Sequence, residues 1–138
     1  MTIFGAMFIA SVILTSCSNY GKEKNFNGVQ LFYTSNITET EANSMGNYLI
    51  ESEFADGEEK TVQLNKSGNT YEFRMVVKKG IEQDSEYTEL GKLMAAEISS
   101  EVFNGGQVDV HFCDENFKSL KVLPMSTYYG KEKNFNGV

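Results

Sequence analysis

The chain has 138 residues, 41% of them hydrophobic and 22% charged, and a formal charge of −7. That length suits one ordinary domain rather than two, and the composition is neither that of a disordered chain nor that of a polytopic membrane protein. The acidic balance argues against a general nucleic-acid binder, which needs a basic footprint, and two cysteines cannot build a disulfide-dense scaffold.

Met1 to Ser16 carry no charged residue, and twelve of the sixteen are Met, Ile, Phe, Gly, Ala, Val or Leu. This run is shorter than the roughly 18–20 apolar residues that cross a bilayer, and it fits the apolar core of a secretory signal. It ends Leu14-Thr15-Ser16-Cys17: aliphatic, small, small, cysteine. This resembles the lipobox of bacterial lipoproteins. The resemblance implies that the Cys17 sulfur takes a diacylglycerol and that residues 1–16 are a signal peptide cut away before it. It also implies a domain held outside the cytoplasm, at a membrane of the cell envelope. Membrane lipid is then a partner through Cys17, with about 0.8 kcal/mol of anchoring per buried methylene. One feature departs from the pattern: no Lys or Arg precedes the apolar run. Two rival readings are a plain membrane anchor with Cys17 a bystander, and a soluble protein with a buried N-terminal segment.

Ten residues then occur twice. Tyr20-Gly21-Lys22-Glu23-Lys24-Asn25-Phe26-Asn27-Gly28-Val29 returns as Tyr129-Gly130-Lys131-Glu132-Lys133-Asn134-Phe135-Asn136-Gly137-Val138, at an offset of 109. Three readings fit: tandem copies of one domain, a re-reading of one unit during sequence assembly, or a functional terminal motif. The Lys, Asn and Gly content reads as linker chemistry. The sequence therefore divides into a signal over 1–16, a linker over 17–28, a domain over 29–124, and a linker with the start of a second copy over 125–138. Each copy contributes +1, so the chain's −7 leaves −9 on residues 29–124.

Within that domain, residues 29–34 are apolar and β-prone and read as a buried strand. Thr38 and Glu41 fit a capping box. The helix after them puts Ala42, Met45 and Leu49 on one stripe, with Gly46 beside it where a sheet could approach closely. Residues 61–66 and 70–78 alternate on either side of the turn residues Ser67-Gly68-Asn69 and predict a hairpin. Asp84 or Ser85 caps a second helix whose stripe is Tyr87, Leu90, Met94, Ile98 and Val102, ended by Asn104-Gly105-Gly106. Strands are predicted at 107–113 and 119–123. The order is β-α-β-β-α-β-β, an α+β chain. It predicts a two-layer sandwich, ferredoxin-like with an extra C-terminal strand. With the predicted strands numbered one to five, right-handed crossovers favour the order 5-4-1-3-2.

Little here points to chemistry. The single histidine, His111, shares a strand face with Asp109 and Cys113, since residues two apart point the same way. With Asp114 and Glu115 nearby they could supply metal ligands or a thiol–imidazole pair. Two ligands on one strand do not close a site, and a catalytic pair needs an orienting group and an oxyanion donor. Carboxylate pairs such as Glu58/Glu59 read as solvated surface. No calcium loop, Walker loop, dinucleotide fingerprint or nucleophile elbow is present, so no cofactor is expected. One surface stands out as an interaction face. If both helices cover one side of the sheet, the other presents Glu72, Arg74, Val76, Asp109, His111, Cys113 and Lys121. The bland alternative is an ordinary solvated face.

These readings lead to a non-enzymatic, membrane-anchored lipoprotein whose domain binds a protein partner or a neighbouring repeat. The alternatives are a metal or thiol enzyme centred on His111 and Cys113, and a structural spacer built of repeats.

Overall fold

The computed structural model describes residues 20–125. The lipobox-like run, Cys17 and the second repeat copy lie outside them. The elements are β1 (Lys22–Phe26), β2 (Val29–Tyr33), α1 (Glu39–Glu51), β3 (Lys60–Ser67), β4 (Thr70–Val76), a 3-10 turn (Ile81–Gln83), α2 (Ser85–Glu101), β5 (Gln107–Cys113) and β6 (Ser119–Pro124). Among the described residues the class is α+β, with one six-stranded mixed sheet and two helices.

Residues 22–26, expected as part of a linker, form an edge strand instead. Asn27 (φ 50°) and Gly28 (φ 95°) are both left-handed, the geometry of a two-residue hairpin turn. The turn sets β1 antiparallel to β2, with Lys24 opposite Leu31 and Phe26 opposite Val29. Phe26 is the anchor. A Cβ on Gly46 of α1 would lie 2.2 Å from the Phe26 ring, so the ring occupies space that only glycine leaves open.

The helices start as their caps predict. Glu41 N–H donates to Thr38 Oγ1 at 3.0 Å, and Thr38 N–H donates to Glu41 Oε1 at 2.9 Å, a complete capping box. Asp84 Oδ1 accepts from Glu86 N–H at 2.9 Å at the head of α2. Ala42, Met45 and Leu49 of the first stripe are fully buried. In the second stripe Met94 and Ile98 are buried, while Tyr87, Leu90 and Val102 pack at its margin.

The register places Leu31, Val62, Met75 and Phe112 abreast on one face, and Tyr33, Leu64, Phe73 and Val110 on the same face. All of them join one buried cluster with Met45 and Leu49 of α1 and Met94 and Ile98 of α2. Lys60 sits at the end of this face, its side chain 1% exposed, with its ammonium 2.5 Å from Asp56 and over the Phe54 ring.

The strands follow chain order across the sheet, β1-β2-β3-β4-β5-β6. This differs from the interleaved order 5-4-1-3-2. β2 and β3 are parallel neighbours joined through α1, and β4 and β5 are parallel neighbours joined through α2. β3 and β4 are antiparallel, so the two crossovers start in opposite directions yet step the same way across the sheet. The interleaved order followed from making both crossovers right-handed, the usual preference.

Candidate functional site

The opposite face is set by the same pleat. Register pairs Glu72 with Asp109, Arg74 with His111, and Val76 with Cys113, so six of the seven residues expected to form an interaction face do share one. Lys121 does not join them: it lies opposite Phe112, and Val122 takes the place beside His111.

The side chains of three of the six meet one another. Arg74 Nη1 lies 3.1 Å from His111 Nδ1 and 3.4 Å from Glu72 Oε1, while Arg74 Nη2 donates to the Phe117 carbonyl at 2.5 Å. Asn65 Nδ2 donates to Glu72 Oε1 at 3.0 Å. A guanidinium only donates, so His111 Nδ1 accepts and the ring proton sits on Nε2. Ser119 Oγ shares Nδ1 at 2.7 Å. His111 Nε2 is buried and has no hydrogen-bond partner among the described residues; Glu72 Oε2 is 3.9 Å away, beyond hydrogen-bond reach. Asp109 stands apart from these contacts and acts on the imidazole only through its charge.

Beside this polar cluster lies a small apolar one of Phe32, Val76, Cys113 and Phe117, with Tyr20 packed on it. Tyr20, Phe32 and Phe117 meet edge to face in a triangle with centroids 5.0–6.2 Å apart. Gln63 Nε2 donates to the Tyr20 carbonyl at 2.9 Å. Asp114 Oδ1 accepts from Asn116 N–H and Lys118 N–H, each at 2.9 Å, and folds the loop back over the sheet. Phe117 is held at φ 61°, a left-handed conformation that bulky residues rarely adopt. Part of the second face is therefore a covered surface rather than an open one. Sequence reading missed Asn65, Ser119, Tyr20 and Phe117. The one available signal was a phenylalanine inside an otherwise polar turn.

The electrostatics oppose reactivity. Burial pushes the Cys113 thiol up to about 11, with Arg74 pulling weakly the other way. Burial, then the Arg74 charge, lowers the His111 imidazole below 6.5, against the pull of Glu72 and Asp109. Thiolate chemistry needs the reverse of both shifts. Among the described residues, no group of three or more His, Cys, Asp or Glu is placed to hold a metal ion.

Two outcomes follow. In a Cys17→Ser background, Cys113 should react with a thiol reagent at neutral pH only as the chain unfolds. A thiol pushed up to about 11 by burial holds about 100-fold less thiolate at neutral pH than the cysteine of the unfolded chain. Fast labelling of the folded protein would contradict the burial. For His111, the folded state binds its proton less readily than the unfolded state, so its contribution to stability is present above about 6.5 and is lost as pH falls below that value. Urea titrations should show stability declining with acidification through this window, and His111→Gln should remove that component. An identical pH profile in the variant would count against it.

No helix among the described residues is long and apolar enough to cross a membrane. No curated protein and no solved structure matches the chain. Residues 24–123 match the family model AF_1994_N, a family N-terminal domain, across nearly all of the sheet from β1 to β6. The chain belongs to the AF_1994_N family through this N-terminal domain.

Proposed function

We propose that the protein is a bacterial lipoprotein, tethered to an envelope membrane through Cys17, whose α+β domain is a non-catalytic interaction module. The observation that carries the anchor is the uncharged apolar run ending Leu14-Thr15-Ser16-Cys17. The module reading draws support from the second sheet face. There Arg74, Glu72 and His111 are engaged with one another and with the 114–118 loop, and the Cys113 thiol is buried. That arrangement weakens the rival thiol or metal enzyme. A two-layer sandwich is the architecture we infer, since α1 and α2 touch each other and share one buried cluster with a single sheet face.

The experiment is metabolic labelling with radiolabelled palmitate, comparing the parent with Cys17→Ala. The parent should incorporate label and fractionate with membranes, and the variant should do neither. Equal labelling of the two, or none in either, ends the lipid-anchor reading.

A further inference from the structure

Where β2 leads into α1 the chain leaves a cleft of about 680 Å³, within the range of small-molecule sites. One wall is the start of β1, at Gly21 and Lys22, and the other is Ser35, Ile37 and Glu39. Tyr33, the last residue of β2, lines the cleft between them. Gly21 brings the walls together. Its φ is 112°, and a Cβ there would lie 2.2 Å from the Tyr33 carbonyl oxygen, so only glycine lets the chain pass this close to the end of β2.

Two donors in the cleft lack partners. Lys22 stands opposite Tyr33 in the register, so both side chains leave the sheet on the side of α1. Lys22 is exposed, with no hydrogen-bond or ion-pair partner among the described residues. Tyr33 is only 7% exposed, and its hydroxyl has no hydrogen-bond partner among the described residues either. That hydroxyl is not sealed from solvent, and the cleft is the opening that Tyr33 lines. A phenol this deep ordinarily finds a partner. Two neighbours are already engaged. Lys24 Nζ pairs with Glu39 Oε2 at 3.0 Å, and Thr34 Oγ1 donates to Asn65 Oδ1 at 2.7 Å. The Lys24–Glu39 pair cancels, so Lys22 leaves the cleft with one positive charge.

We propose that this cleft binds a small organic monocarboxylate, whose oxygens accept from the Lys22 ammonium and the Tyr33 hydroxyl and whose short apolar tail rests against Ile37. One negative charge is what the cleft can match. The second charge of a phosphate would face Glu39 with no cation left to meet it. The inference depends neither on lipidation of Cys17 nor on the second sheet face.

The test uses the full chain in detergent, following backbone amide shifts as butyrate is added at constant ionic strength. Residues 21–22 and 33–39 should shift and saturate in the millimolar range expected of a small fragment. Formate, with the charge but no tail, should bind more weakly. Tyr33→Phe keeps the ring in the core and Lys22→Gln alters an exposed residue, so both should melt like the parent. Each should weaken butyrate binding about tenfold. Lys79 follows β4, which runs against β2 and β3, so Lys79→Gln removes the same charge at the other end of the sheet and should leave binding unchanged. Absence of saturable shifts in the cleft overturns the inference, as does binding untouched by Tyr33→Phe or Lys22→Gln. Equal weakening by Lys79→Gln would reduce it to general charge attraction and overturn it too. Tighter binding of formate or inorganic phosphate than of butyrate would overturn the ligand class.

Discussion

Replacing Arg74 with methionine is expected to lower the stability of the domain by about 3 kcal/mol, the lower end of what breaking a buried ion pair costs. The lower end applies because both Arg74 and Glu72 side chains keep 17% of their exposure. Methionine keeps much of the volume and removes every donor. Glu72 is then left with Asn65, His111 Nδ1 with Ser119, and the Phe117 carbonyl loses the guanidinium bond that helps hold its residue at φ 61°. For a domain of this size the melting temperature should fall by about 15 °C. Amide exchange should quicken across 114–118 before it does in β3 or β4, since that loop depends most directly on the arginine. Adding Glu72→Gln should return part of the loss, because the double variant leaves no uncompensated carboxylate. A loss within about 0.5 kcal/mol for Arg74→Met is the behaviour of an ordinary surface position and would falsify the account of a locked second face.

Phe73→Ala should cost about 4 kcal/mol, among the larger single-residue losses. Phe73 is fully buried on β4, an interior strand, and meets Phe54 edge to face at 5.9 Å between centroids. Truncation removes the ring's transfer free energy, leaves a cavity beneath the helices, and breaks an aromatic pair worth about 1 kcal/mol. Phe54 comes from the segment after α1, so the cavity loosens both the sheet and the chain's route into β3. In urea the midpoint should drop sharply with little change in slope. Phe54→Ala combined with Phe73→Ala should cost less than the sum of the two, because the second truncation has no partner ring left to lose. Strict additivity would show that the pair does not couple.

Much of this architecture is legible in the residues, and the exceptions have causes. The capping box at Thr38 and Glu41, the stripe of Ala42, Met45 and Leu49, and the 67–69 turn are local patterns, and local patterns survive tertiary context. β1 was missed because Lys22, Glu23 and Lys24 look like linker, yet an edge strand tolerates charge on its open side. Asn27-Gly28 was the overlooked sign of a hairpin. The strand order failed for another reason. It rested on making both crossovers right-handed, which put β3, with Thr61 and Gln63 on its second face, at an edge of the sheet. Both residues are buried, held by Gln30 and by the Tyr20 carbonyl. Handedness, a property of the whole sheet, has no local trace in either crossover. For the candidate site, alternation alone placed Glu72, Arg74, Asp109, His111 and Cys113 on one face. It could not show that the loop carrying Phe117 returns to cover part of it.

The strict chain order of the sheet also bears on how quickly the protein forms. Each strand pairs with the strand next to it in sequence, so no pairing waits for a distant segment to arrive. The closures are a two-residue turn, a helix, a short turn, a second helix and a loop. Low contact order of this kind lowers the loop-closure entropy ahead of the transition state and speeds folding relative to an interleaved sheet of equal size. The sheet can assemble vectorially, with β1, β2 and β3 already paired while β6 is still being synthesised.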